Sequence, residues 1–332
     1  MIDKKLIEKY DRSRVLPFLR AFPEQCKDAI SLGNKLNLKE RGIEKIVCCG
    51  MGGSGVGGAI IKNLFKDELK VPFDSFNSYA LPSYVDEKTL VLAVSYSGNT
   101  EETLACYKQA VKKKALVIAI SSNGKLRKIA KYCIAVPDIF PQPRIAIAYT
   151  TLPMIPVLSK LSVIGEKTEE LNNVVSFLKK EAEVINNKAQ KLATSIHGKF
   201  PVIYGTDNIS AVTYRWRTEL NENSKTFALN HVIPEENHNE INAFLGLGNA
   251  YFLFLRADGE TERINKRIEF TKKVFGKMFP VSDVFIKGKT LLEKTFYAIY
   301  LAALTSYYLA LLNGVDPEKI SVINSLKREL EK

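Results

Sequence analysis

Two short segments concentrate the residue types that hold an anion. The first is Cys48-Cys49-Gly50-Met51-Gly52-Gly53-Ser54-Gly55, and the second is Ser95-Tyr96-Ser97-Gly98-Asn99-Thr100-Glu101-Glu102-Thr103. Glycines let a backbone approach a ligand closely, and a helix N-terminus presents unpaired N–H groups. The hydroxyls of Ser54, Ser95, Ser97 and Thr100 add further donors. Each segment follows a short apolar run and precedes a helical pattern. The chemistry implied is capture of a phosphate-bearing ligand, with Gly52, Gly53, Ser54, Ser95, Ser97 and Thr100 holding the phosphate.

Other uses of the same residues compete with this one. Residues 50–55 fit the G-x-G-x-x-G pattern of dinucleotide-binding folds. That site asks for an acidic residue near the end of the second strand. Asp74 stands at about the right distance but inside the expected strand, and the serine-rich segment is left without a task. A mononucleotide P-loop would need Gly-Lys-Ser/Thr at the end of the glycine run, which is absent. An ordinary helix cap at Asn99 or Thr100 accounts for part of the second segment. Three hydroxyls and Gly98 exceed what a cap needs.

The elements that must position these loops alternate in type. Strand patterns fall at residues 45–49, 71–76, 89–94, 115–120 and 132–136, with helices expected over 57–65 and 100–112. Such alternation argues for a parallel sheet covered by helices on both faces. Prolines then cluster over 137–143 and 152–158, and a charged helical stretch runs over 166–193. The alternation resumes with strands at 200–204, 227–229, 251–255 and 284–286, a helix over 209–221, a long apolar helix over 291–312 and an amphipathic helix over 320–330. The expected fold is α/β: two doubly wound domains with parallel sheets, over 1–150 with the phosphate loops and 191–332, joined by a helical connection over 151–190.

Composition narrows the class of function. The formal charge is +12, but the lysines are spread along the chain, with no arginine-rich arm, RNP-like aromatic motif or zinc finger. A basic surface that draws in small anions fits better than nucleic acid. The five cysteines, Cys26, Cys48, Cys49, Cys106 and Cys133, form no C-x-x-C pair, so buried thiols are expected rather than a disulfide framework or zinc ribbon. The longest apolar stretch, 295–312, carries several tyrosines and reads as a buried helix rather than a membrane span. Residues 1–5 have no apolar segment of a signal peptide, and the expected compartment is cytoplasmic.

The two anion loops together resemble the sugar isomerase (SIS) domain. Further segments resemble one branch, the bifunctional phosphoglucose/phosphomannose isomerases: Pro143-Arg144 with Ala146, Tyr214-Arg215-Trp216 leading to Asn221-Glu222-Asn223, Glu236-Asn237-His238-Asn239-Glu240, and 315–317 through Leu326-Lys327. The resemblance covers nearly the whole chain. It implies phosphorylated hexose substrates and a proton moved between C1 and C2 by Glu222 through a cis-enediol. It also implies ring opening by His238 with help from Lys327, and a cation, Arg144, beside the developing oxyanion. No cofactor and no metal is implied, nor any nucleic-acid or membrane partner. The expected assembly is a homodimer in which His238 reaches the neighbouring subunit's site. Some members carry a threonine before the lysine that is linked to acceptance of both epimers; here Ile320 and Ser321 occupy that stretch. An isomerase restricted to glucose 6-phosphate and a non-catalytic sugar-phosphate regulator are the alternatives. A metal-dependent isomerase using His231, Glu235, Glu236, His238 and Glu240 is another, although their spacing matches no helix or strand motif.

Overall fold

In the computed structural model, residues 2–38, 42–243 and 245–330 are described. The chain divides into two compact units, one comprising Ala21–Lys180 and Thr290–Glu293, the other Met1–Arg20, Glu181–Lys289 and Lys294–Lys332. The first twenty residues therefore group with the C-terminal half. Residues 151–180, placed by the sequence pattern in a connection, pack with the glycine-loop half.

The glycine-loop unit is built on five parallel strands: β1 (Lys45–Gly50), β2 (Phe73–Phe76), β3 (Thr89–Val94), β4 (Leu116–Ser121) and β5 (Tyr132–Ala135). Their order is β2-β1-β3-β4-β5. Every residue of β3 and β4 is buried, which explains why these strands read as continuous apolar runs. Val47, Val91, Ala93, Val117 and Ala119 meet Cys106, Tyr107 and Leu126 in one core. Cys26, Cys48, Cys49 and Cys106 are buried free thiols, and burial pushes the Cys48 thiol up to about 12. Cys48 is thus a small apolar side chain rather than a nucleophile.

The second unit repeats the design with four parallel strands, β6 (Phe200–Thr206), β7 (Leu229–Ile233), β8 (Ala250–Ala257) and β9 (Val281–Ile286), in the order β7-β6-β8-β9. Its core is aromatic. Phe252 stacks on Phe275 with ring centroids 4.2 Å apart, and Tyr204 lies against Phe252, Phe254 and Phe275. The helix Leu291–Leu312 is long and apolar enough to cross a membrane by length and composition, but 94% of its apolar window is buried. The α/β expectation of two parallel sheets with flanking helices therefore holds in both halves.

Among the boundaries that differ from the sequence pattern, three bear on the site. The strand expected at 227–229 lies at Leu229–Ile233; Asn230 and His231 hide it, because β7 is an edge strand bonded only to β6. The helix expected from residue 57 begins at Gly52, so the glycine run is its first turn rather than a loop. The helix expected over 209–221 is Ser210–Asn223 and includes Glu222.

Candidate active site

In an open parallel sheet, ligands bind at the carboxyl ends of strands where successive connections leave in opposite directions. With the order β2-β1-β3, that point lies between β1 and β3. Gly50 and Val94, the last residues of these strands, pair in register. The two anion-binding segments therefore leave the sheet side by side. Met51 is extended before the helix Gly52–Phe65, and no side chain caps that helix. Thr100 precedes the helix Glu101–Lys112, again without a side-chain cap. Both helix N-termini thus offer N–H groups at the same end of the same sheet.

The hydroxyls knit the loops together. Ser54 Oγ accepts from the Tyr96 N–H at 3.1 Å, joining the first segment to the second. Ser95 Oγ accepts from the Gly98 N–H at 3.1 Å and lies 2.9 Å from Thr100 Oγ1. Ser54 and Ser95 are buried, Thr100 is half-buried, and Ser97 is exposed. Gly98 has φ +68°, and a Cβ there would lie 1.8 Å from the Asn123 carbonyl oxygen. The loop after β4 therefore forms a wall for the serine loop, and Lys125 N–H donates to Asn99 Oδ1 at 3.0 Å.

Tyr96, which the sequence pattern gave no role, is the hub of this arrangement. Its hydroxyl donates to the Pro137 carbonyl and accepts from the Phe140 N–H, each at 3.0 Å. Those residues start the proline loop that leads to the short 3₁₀ turn Pro143–Ala146. Arg144 on that turn is 3% exposed. A Cβ on Gly53 would lie 3.0 Å from Arg144 Cα, so a side chain there would press on the turn. Gly53, Ser54, Ser95, Thr100 and Arg144 are thus brought together within one unit. Asp74, the residue a dinucleotide site would use, instead pairs with Val47 inside the sheet and is held by Lys62 at 3.2 Å and Tyr84 at 2.5 Å.

In the second unit, Glu222 is half-buried at the last turn of Ser210–Asn223. A buried network lies beneath that turn. Arg215 forms an ion pair with Glu219, both 2% exposed. Asn223 Nδ2 donates to Glu219 and to Ser306 Oγ, the latter at 2.8 Å. Lys225 Nζ donates to the carbonyls of Glu222 (2.9 Å), Asn223 (3.2 Å) and Asp316 (3.1 Å), closing the helix C-terminus. A buried charge pair of this kind fixes one geometry, because breaking it leaves an uncompensated charge. The helix-spaced Arg215 and Glu219 were the available signal for it in the sequence.

His238 ends the 3₁₀ turn Glu235–His238 and is exposed, and its imidazole has no hydrogen-bond partner among the described residues. Two residues earlier, Glu236 is 0% exposed, and burial pushes its carboxyl up to about 7. His231 Nδ1 lies 2.7 Å from Glu240 Oε1. Glu235 and His238 are exposed apart from this pair, and no group of three or more His, Cys, Asp or Glu side chains converges as a metal site among the described residues. Lys327 is exposed on the helix Ser321–Leu330, none of whose residues is buried. Ile320 is half-buried just before that helix and Ser321 is its first residue.

Two parallel sheets of matching strand order, one with a hydroxyl-lined switch point, define a protein of two SIS domains. Residues 41–159 match the SIS domain family, and residues 185–330 match the bacterial phospho-glucose isomerase C-terminal SIS domain. The fold is also that of the C-terminal domain of glucosamine-fructose-6-phosphate aminotransferase from Francisella tularensis, with TM-score 0.74 at 18% identity over 92% of this chain and 98% of that one. The chain is 38% identical over 292 residues to the bifunctional phosphoglucose/phosphomannose isomerase of Thermoplasma volcanium, covering 86% of this chain and 91% of the relative. It is 36% identical over 329 residues to that of Caldicellulosiruptor bescii, covering 93% and 96%. The chain belongs to the bifunctional phosphoglucose/phosphomannose isomerase family.

Proposed function

We propose that this chain is an aldose–ketose isomerase that interconverts glucose 6-phosphate and mannose 6-phosphate with fructose 6-phosphate. The observation that carries the reading is the pairing of two hydroxyl- and glycine-rich helix N-termini with Arg144 at a sheet switch point, in a chain of this family. The substrate phosphate is held by Gly52, Gly53, Ser54, Ser95, Ser97 and Thr100, so binding energy from a group remote from the reaction orients the sugar. Glu222 takes the proton from C2 or C1 and returns it to the other carbon, a task suited to a fixed carboxylate. Arg144 stabilises the enediolate oxygen as charge develops there. His238 and Lys327 move the protons that open the ring.

Glucose and mannose 6-phosphates differ only at C2. Removing the C2 proton makes that carbon planar and erases the difference, so one base serves both substrates if the enediol accepts a proton on either face. No step requires a cofactor or a metal. The exposure of His238 supports its use by a neighbouring copy in a homodimer. Five free cysteines, four of them buried, suit a reducing cytoplasmic setting. No nucleic-acid or membrane partner is required.

The test is to incubate chelator-treated protein with fructose 6-phosphate and to follow glucose 6-phosphate and mannose 6-phosphate separately. Both should form. Glucose 6-phosphate alone would restrict the reading to one epimer and point to the 320–321 stretch. Neither product, with sugar phosphate still bound, would replace the isomerase with a sensor.

A further inference from the structure

The turn that carries His238 is fastened by two side chains, Glu236 and Asn237. Glu235, His238 and Asn239 are exposed and Asn237 is half-buried, whereas Glu236 is completely buried. Its Oε1 accepts from Asn237 Nδ2 and from the Thr271 hydroxyl, the latter at 3.1 Å. Thr271 is itself fully buried on the helix Glu262–Phe275. Asn237 Nδ2 also donates to Thr271 Oγ1 at 2.8 Å, and Asn237 Oδ1 accepts from Arg267 Nη1 at 3.3 Å. The residue immediately before His238 is thus gripped at both ends of its amide. Glu236 Oε2 is buried with no partner.

We infer that Glu236 is a positioning residue for ring opening: its buried carboxyl, bonded to Asn237 and Thr271, sets where the turn presents the His238 imidazole. The inference rests on the reading of His238 as the ring-opening residue.

The bonds have a built-in two-state character. The Thr271 hydroxyl has one proton and two acceptors in reach, Glu236 Oε1 at 3.1 Å and the Arg267 carbonyl at 2.9 Å. With Glu236 ionised, the proton is best placed toward Glu236. With Glu236 neutral, the carboxyl can donate to Thr271 Oγ1, and the threonine turns to Arg267. One proton taken from solvent therefore reverses the hydrogen bond that anchors the turn. The charged and titratable groups around the carboxyl are Glu240 from the next 3₁₀ turn, which disfavours its ionisation, and His231 on β7, which favours it. Tyr204 on β6 donates to Glu240 at 2.9 Å, and Arg267 reaches the turn through Asn237. Burial is the largest influence, and the resulting value of about 7 puts the change at neutral pH.

The experiment uses the full-length chain and separates ring opening from proton transfer. Exchange NMR measures anomer interconversion of glucose 6-phosphate, and coupled assays measure isomerisation, from pH 5.5 to 8.5. The parent, His238→Ala, Glu236→Gln and Thr271→Val are compared, with unfolding curves run alongside. Glu236→Gln should slow anomer interconversion by about tenfold to a hundredfold, the scale of a small misplacement, and should remove an inflection near pH 7. Thr271→Val, which keeps the carboxyl, should displace the same inflection; it decides the matter if Glu236→Gln fails to fold. If His238→Ala slows ring opening but Glu236→Gln and Thr271→Val keep the parental rate and profile, Glu236 is not a positioning residue. If His238→Ala leaves ring opening unchanged, the underlying role of His238 fails and this inference fails with it.

Discussion

Two glutamates in polar sequence surroundings meet different fates. Glu222 is half-open at a helix end, while Glu236 is sealed by Thr271 and Asn237. Nothing near Glu236 in the sequence announces its burial, because its partner lies thirty-five positions away on another helix. The consequence is a pH-dependent stability whose sign follows from proton binding. Its carboxyl rises from the ordinary 4.5 to about 7, so the folded chain holds a proton that the unfolded chain has released. This contribution is complete below about pH 4.5 and is lost as pH rises through about 7. Urea unfolding of the parent and Glu236→Gln at pH 5 and pH 8 should show the variant gaining on the parent by about 2–3 kcal/mol at the higher pH. Equal differences at both values would contradict the assignment. The hydroxyls of Ser54, Ser95 and Thr100, by contrast, lie in short local segments, so their closeness was legible from spacing alone.

At the scale of elements, the strands of the first sheet were readable because burial on both faces writes an apolar run into the sequence. The helix start at Gly52 was not. Glycine's low helix propensity argued for a loop, and packing of that helix on β1, β2 and the helix Ile147–Thr151 overrides it. The helix Glu262–Phe275, which carries Thr271, was likewise missing from the sequence pattern, since its charged residues outnumber its three buried ones. The serine loop makes the most specific demand. Gly98 combines positive φ with a carbonyl oxygen where a side chain would begin. Gly98→Ala should destabilise the chain by about 2–4 kcal/mol through strain and steric conflict. It should also raise KM for sugar phosphates more than it lowers kcat, because the loop is proposed to hold the remote phosphate. Thermal unfolding with steady-state kinetics would check both, and a variant with parental Tm would contradict the close packing against Asn123.

At the scale of the whole molecule, the second sheet repeats the strand order of the first without its serine loop, so the proposed phosphate site falls in one half and Glu222 and His238 in the other. The duplication was visible in the alternation of patterns. The grouping of the first twenty residues with the C-terminal half was not, because it depends on long-range contacts such as Tyr307 OH donating to Asp11 Oδ2 at 2.9 Å. The formal charge of +12 suits capture of dianionic sugar phosphates, whose association should slow as ionic strength rises. The homodimer reading makes a prediction of its own. If His238 serves the neighbouring copy, co-refolding inactive Glu222→Gln with inactive His238→Ala should restore about a quarter of parental activity, since random pairing makes half the dimers mixed and each mixed dimer has one intact site. A mixture that stays inactive while forming dimers would place His238 in its own subunit's chemistry.

One carboxylate, Glu222, is proposed to make and unmake both epimers. The most direct measurement is isomerisation of fructose 6-phosphate in D₂O by the parent and by Glu222→Gln, with NMR reading deuterium at C2 of each aldose product. With the parent, deuterium should appear at C2 of both glucose 6-phosphate and mannose 6-phosphate. With Glu222→Gln, both should fall together by about 10²–10⁴-fold, the range for removing a general base. Sustained formation of either epimer by Glu222→Gln would contradict it.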